Sequence, residues 1–240
     1  MTLENKHILI VGGAKGMGLA TARMAAEAGA KVTITARTKP SLDTALSVLP
    51  DSVAGVKLDF TDAASVERLA AAVPALDHLV LSASSNVAWG PFADVDESGL
   101  RAAFDAKFWG YWRVIRALAP RIARDGSITL LTGAAARAAM VGTSGLAAVN
   151  GALEAMAKTL AVELAPLRVN TVSPGMTATE AYAGMPAEAR EGMFAGAAAG
   201  LPVGRIGAPE DIAGAILMAA ANPFLTGATL DVDGGAHLAR

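Results

Sequence analysis

His7-Ile8-Leu9-Ile10-Val11-Gly12-Gly13-Ala14-Lys15-Gly16-Met17-Gly18-Leu19-Ala20 stands near the start of the chain and decides its fold. The apolar run predicts a buried strand over His7–Val11. The glycines after it predict a tight turn, and Leu19-Ala20-Thr21-Ala22 begins a helix over Leu19–Ala28. Glycine at 12, 16 and 18 lets the backbone come close to an anion. That anion then sits at the amino end of a helix, where unpaired N–H groups gather. Strand, glycine turn and helix in this order, at the head of an alternating chain, form a cradle for a diphosphate.

The alternation continues outward from this unit. Strands are expected at Lys31–Ala36, Ala54–Leu58, His78–Ala83, Ser127–Thr132, Arg168–Ser173 and Thr229–Val232, with helices between them, among them Ala63–Ala72 and Val149–Leu164. Val149, Ala152, Leu153, Met156, Leu160 and Leu164 mark one apolar face of the last helix. Continuous apolar strands separated by helices imply a parallel sheet buried on both sides. The expected fold is therefore a Rossmann-type, doubly wound α/β domain, with seven parallel strands and helices on both faces, filling residues 1–240. Met176 to Leu201 breaks the alternation, and its length predicts a lid over a site, around 176–201.

A chain of 240 residues, 53% hydrophobic and 18% charged, is long and apolar enough for one large core. A net charge of −2 without clustered Lys and Arg argues against a nucleic-acid partner. The absence of cysteine removes disulfides and thiolate metal sites, and suits a reducing cytoplasm. The N-terminus lacks the pattern of a signal peptide. The uncharged run from Ile212 to Leu230 is nearly as long as a membrane span. Asn222-Pro223 and Thr226-Gly227 divide it into a buried helix, a turn and a strand, so no membrane partner is expected. His7, His78 and His237 have no metal-ligand spacing, and no Gly-x-Ser-x-Gly or His-Glu-x-x-His stretch occurs, so neither a metal site nor a hydrolase is expected.

The spacing Gly12-x-x-x-Gly16-x-Gly18 resembles that of the short-chain dehydrogenase/reductase family, and the resemblance runs to the other end of the chain. It includes Lys57-Leu58-Asp59-Phe60, the Pro174-Gly175 turn with Thr179, Gly204-Arg205-Ile206-Gly207-Ala208-Pro209-Glu210-Asp211, and Asp231-Val232-Asp233-Gly234-Gly235. It implies nicotinamide-coenzyme contacts from Gly12, Ala14, Lys15, Gly16, Met17 and Gly18 of the loop. Arg37, Asp59, Phe60, Ser82, Ala83 and Ser84 join them at the ends of the following strands, and Pro174, Gly175, Met176 and Thr179 at the nicotinamide end. It also implies a homodimer or homotetramer, a small-molecule substrate and oxidoreductase activity. Charge bears on the choice of coenzyme. NAD binders place an acid at the end of the second strand, whereas this strand ends Thr35-Ala36-Arg37, and Lys15 lies in the loop. Two cations and no carboxylate favour NADP(H) over NAD(H).

At the positions where the family keeps its Ser, Tyr, Lys and Asn, the resemblance places Gly133, Leu146, Asn150 and Lys107. The only tyrosines are Tyr111 and Tyr182, and neither is followed four residues later by Lys. The usual proton relay is absent. Lys107 is the candidate substitute, since burial lowers an ammonium's pKa into a useful range. Tyr111, four residues on, is a candidate proton source. Thr132 and Asn150, with Ser82, Ser84 and Ser144, are candidate hydrogen-bonding groups for a substrate carbonyl. Two functions follow: an NADP(H)-dependent oxidoreductase acting on a carbonyl or conjugated enone, or a catalytically silent NADP(H)-binding sensor. A non-redox reaction in the same pocket is a weaker third.

Overall fold

Seven strands form one sheet in the computed structural model, which describes residues 2–83 and 87–238. They are β1 (His7–Val11), β2 (Lys31–Ala36), β3 (Ala54–Lys57), β4 (Leu76–Leu81), β5 (Ile122–Leu131), β6 (Arg168–Pro174) and β7 (Thr229–Val232). Their order is β3-β2-β1-β4-β5-β6-β7, and every neighbouring pair is parallel. The order reverses between β1 and β4. Connections leave these two strands in opposite directions and open a crevice beyond their carboxyl ends.

The helices are α1 (Gly16–Glu27), α2 (Lys39–Leu46), α3 (Ala63–Ala72), α4 (Glu97–Ala103), α5 (Gly110–Leu118), α6 (Ser144–Glu163), α7 (Ala187–Ala199) and α8 (Pro209–Ala221). Side chains alternate across a strand, so β1 feeds two cores. Leu9 and Val11 pack with Leu69 of α3, Val114 of α5 and Leu153 of α6 on one face. Ile8 and Ile10 pack with Ala22 of α1, Leu42 of α2 and Ile212 of α8 on the other. Asp62 and Asp96 start α3 and α4 by accepting from the backbone N–H groups of Ala64 and Gly99.

At the far end of α8, buried Arg168 gathers the carbonyls that the last turn leaves unpaired. Its Nη1 donates to Ala219 at 2.9 Å and Asn222 at 2.7 Å, and its Nη2 donates to Ala220 at 2.6 Å.

β1, β2, β7 and α3 have the bounds expected from sequence, and the other predicted strands differ only at their ends. The largest difference is β5, which begins at Ile122 rather than Ser127. Its first residues include charged Arg124 and Asp125, which break the apolar pattern. A register shift between Leu76 and His78 of β4 absorbs the extra length. There Gly126 lies so close to the Asp77 carbonyl that any Cβ would collide with it. The run from Ile212 to Leu230 is indeed divided between α8, a turn and β7, and no helix of the described residues is long and apolar enough to cross a membrane.

Candidate active site

The glycine loop closes on itself at the end of β1. Gly12 has φ +81°, and a Cβ there would lie 2.7 Å from the Ala83 nitrogen. A Cβ on Gly18 would run into the Gly12 carbonyl oxygen. No side chain fits between these backbone segments, and the packing holds the loop amides in place. Ala14 is buried, Met17 packs on the core, and Lys15 is exposed at the N-cap of α1. Thr179 lies over Gly16, with its Cγ2 3.2 Å from where a Cβ would stand. The Gly16 N–H donates to Glu180 Oε2 at 2.9 Å, so a carboxylate rests on the amino end of α1.

Next to the loop, the backbone N–H of Ser82 donates to the Val11 carbonyl at 2.8 Å. The Ser82 hydroxyl is buried with no hydrogen-bond partner among the described residues. Ser84 lies outside the described residues. Arg37 is exposed after β2. Asp59 accepts from the Thr61 hydroxyl at 2.6 Å and the Thr61 N–H at 3.0 Å. That hydroxyl, with the charges of Arg37 and Lys57, holds the Asp59 carboxyl below its ordinary range. Phe60 sets its ring edgewise to Tyr111, 6.5 Å between centroids.

Beyond the carboxyl ends of β5 and β6 lies a cavity of about 510 Å³. Lys107, Thr132, Gly133, Leu146 and Asn150 line it, as does the Pro174-Gly175-Met176 turn. The turn is fixed by Gly175, which donates to the Val232 carbonyl at 3.0 Å and packs too tightly on Asp233 to carry a Cβ. Lys107 extends from a π-helical turn, Phe104–Trp109, and is 8% exposed. Its Nζ donates to the Thr132 carbonyl at 3.0 Å and to Asn150 Oδ1 at 2.7 Å. Burial pushes the amine down to about 8, opposed by the charge of Glu154. A Cβ on Gly133 would lie 2.9 Å from Asn150 Nδ2, so a side chain there requires the Asn150 amide to move aside. The amide of Asn150 thus borders the space that a serine side chain would enter.

Lys107, Thr132 and Asn150 therefore meet as a group, but Tyr111 does not join them. Its side chain is fully buried, and its hydroxyl lies 2.8 Å from the Leu81 carbonyl and 2.7 Å from that of Ala83. Burial raises its pKa. A phenol committed to two backbone carbonyls, away from the cavity lining, is a brace for the end of β4, and the expectation of a proton source is corrected accordingly. Ser144 is exposed at the start of α6, also outside the cavity lining.

Two acids of the site were not anticipated. Glu154 accepts from the Thr132 hydroxyl at 3.1 Å and lies 3.6 Å from Arg137, whose Nε is 2.6 Å from Asp231. The signal for Glu154 was a carboxylate one helical turn after Asn150, inside a mostly apolar pattern. Glu180 directly follows Thr179, but nothing in the sequence links it to a loop 164 residues away. The segment 176–201 folds as a short 3-10 turn, Glu180–Tyr182, and α7, clasped by a Tyr182–Phe194 contact at 5.2 Å. Met176, Tyr182, Ala197 and Leu201 line the cavity from that side.

Comparison with known proteins agrees with this geometry. The family model described as enoyl-(acyl carrier protein) reductase matches residues 12–237. Short-chain dehydrogenase/reductase ATR9 of Stachybotrys chlorohalonatus is 32% identical over 255 residues, covering 99% of both chains. A small-chain dehydrogenase solved in complex with NADPH is 36% identical, with a TM-score of 0.83 over 98% of this chain and 100% of that one. The MalC reductase/Diels-Alderase of Malbranchea aurantiaca is 28% identical, with a TM-score of 0.89 over 98% and 96%. The glycine cradle at the switch point, the seven parallel strands and these matches along nearly the whole length establish that the chain belongs to the short-chain dehydrogenase/reductase family of oxidoreductases.

Proposed function

We propose that this chain binds NADP(H) in preference to NAD(H) and reduces an apolar carbonyl compound or conjugated enone, with Lys107 replacing the family's proton relay. The observation that carries this reading is the seat of Lys107, a buried amine in the same cavity as the Pro174-Gly175-Met176 turn. The residues present fit the coenzyme. The loop around Gly12 and Gly18 leaves no space for side chains, the buried Ser82 hydroxyl lacks a partner, and the Gly16 amide already holds an anionic oxygen. Gly12 through Gly18 would hold the diphosphate, with Ala14 and Met17 in the same turn and Ser82 and Ala83 beside it. Asp59 and Phe60 would border the adenine, Lys15 and Arg37 would meet a 2′-phosphate, and Pro174 to Met176 with Thr179 would border the nicotinamide.

When bound, the coenzyme supplies a hydride. The chain's own part is electrostatic: the Lys107 ammonium, held by two neutral acceptors, faces the negative charge that develops on a substrate oxygen. An enone needs less of this help than a ketone, since its charge is delocalised. Leu146 and the alanines around it make the cavity wall largely apolar, which strengthens that interaction. The segment 176–201 would cover the substrate. Exposed Trp109 and Trp112 on the α5 side would meet a second copy in a homodimer or homotetramer in the cytoplasm.

Calorimetry with both coenzymes tests the reading, and NADPH is expected to bind at least about tenfold tighter than NADH, ~1.4 kcal/mol. Oxidation of bound NADPH by a panel of aldehydes, ketones and enones follows. Lys107→Met is expected to slow the productive case by about 10²–10⁴-fold. Binding without turnover supports the silent sensor, a reading favoured by the absence of a hydroxyl at Gly133 and Leu146. No heat with either coenzyme ends both readings.

The carboxylate on the Gly16 amide gives a further expectation. A diphosphate must displace Glu180 and then lie beside its charge. Glu180→Gln weakens the resident contact and removes the repulsion, so the NADP(H) Kd should tighten by roughly tenfold, ~1.4 kcal/mol. Glu188→Gln, on the exposed face of α7, serves as the control. An unchanged or weaker Kd in Glu180→Gln means that the carboxylate does not compete.

A further inference from the structure

Lysines in folded proteins keep their amines in water, and six of the seven in this chain do so at least in part; Lys107 alone is buried. Its surroundings differ from those of a structural ion pair. Among the described residues no carboxylate comes within 4.0 Å of its Nζ, and both hydrogen-bond partners are neutral oxygens. Such oxygens accept from a neutral amine too, though more weakly than from an ammonium, so the seat survives loss of the proton. Lys107 also borders open space. It lines the cavity of about 510 Å³ together with Ala134, Ala138, Leu146, Val149 and Leu201. An amine in an apolar pocket with room beside it is the arrangement that makes lysine a nucleophile toward carbonyl carbon.

We infer that Lys107 is a covalent binding site for apolar aldehydes and ketones, its Nζ forming a Schiff base with a carbonyl compound that enters the cavity. The Nζ lone pair forms the C–N bond as the carbonyl π pair moves to oxygen. Both amine protons leave with that oxygen as water, and the C–O bond gives way to C=N. Nothing is oxidised or reduced. One proton taken from solvent turns the imine into an iminium, and water reverses the sequence. This activity goes beyond the redox reading and needs no coenzyme.

The groups facing Nζ set its pH range. Glu154 on α6 favours the ammonium, and its own charge is tempered by Arg137 behind it. Tyr182 faces the cavity as a phenol that burial keeps neutral, and Asp105 of the same π turn is exposed. Desolvation prevails over Glu154, so the free amine should appear as pH rises through about 8, well below the range of an exposed lysine.

The test is to incubate the purified chain with cinnamaldehyde and cyanoborohydride, with and without NADP(H), and to locate the reduced adduct by intact mass and peptide mapping. One adduct on Lys107 is expected, at least about tenfold above any other lysine, with half-maximal yield near pH 8. Lys107→Arg should lose it, and Lys158→Arg, on the exposed side of α6, should retain it. Mapping in the unmutated chain decides the matter even if Lys107→Arg folds poorly. Adducts confined to surface lysines, or a yield that climbs only above about pH 10, would overturn the inference. An adduct at Lys107 in a chain that binds neither coenzyme would sink the redox reading and leave this one standing; coenzyme turnover without an adduct would do the reverse.

Discussion

Gly18→Ala is expected to weaken NADP(H) binding by at least about a hundredfold, ~2.7 kcal/mol. The added methyl would strike the Gly12 carbonyl oxygen and stand 3.1 Å from Gly13 Cα. Both are backbone atoms of the loop itself, so no side chain can swing away to make room. The loop must widen, and the amides at the start of α1 then lose their aim at the diphosphate. The same strain should lower the melting temperature by several degrees. Gly192→Ala is the matching control. It lies within α7 with open space where its Cβ would stand, and alanine there should stabilise the chain by about 0.5–1 kcal/mol through helix propensity. A Gly18→Ala chain that titrates like the parent would show that the coenzyme, if it binds, does not use this cradle.

Arg168→Met is expected to cost about 3–5 kcal/mol of unfolding free energy, measured by urea denaturation. The cause is a count of acceptors. The guanidinium donates to three carbonyls at the end of α8 at 2.9 Å or less, with the Leu225 carbonyl at 3.4 Å as a fourth. Methionine keeps the stem's packing but removes every donor, leaving these oxygens unpaired in a buried place. It also removes the positive charge that complements the carboxyl end of the helix dipole. Arg168→Lys should recover little, because an ammonium cannot present a planar fork to carbonyls spread over two directions. A loss below about 1 kcal/mol would mean that water reaches those oxygens instead.

How much of this was legible in the sequence depended on whether a feature is local. The sheet was readable because each strand announces itself: Ile8 to Val11 must be buried on both faces, and the glycines after them permit one kind of turn. The coincidence of Lys107 with Asn150 followed from aligning two separate helices on a known pattern, and the 2.7 Å contact shows them meeting. What was lost has other causes. Tyr111 and Lys107 lie at helical spacing, which suggests a common face and makes Tyr111 a candidate proton source. Both do point toward the ends of β4 and β5, but only Lys107 lines the cavity, and the intervening turn is π-helical, which a period of 3.6 does not register. Glu180 reaches Gly16 through tertiary folding alone. The early start of β5 was hidden by Arg124 and Asp125, charges that a strand end tolerates because they reach solvent there.

The π turn from Phe104 to Trp109 ties together two surfaces that the rest of the fold keeps apart. Lys107 points inward from it, while Trp109, two residues later, is 42% exposed and meets Trp112 edge to face at 6.0 Å. A load on the indoles is therefore borne by the same loosely wound segment that sets the height of the amine. Tightening that segment into an ordinary helix, as deleting a residue beside Lys107 would do, should withdraw the ammonium from its berth while leaving Thr132 and Asn150 in place.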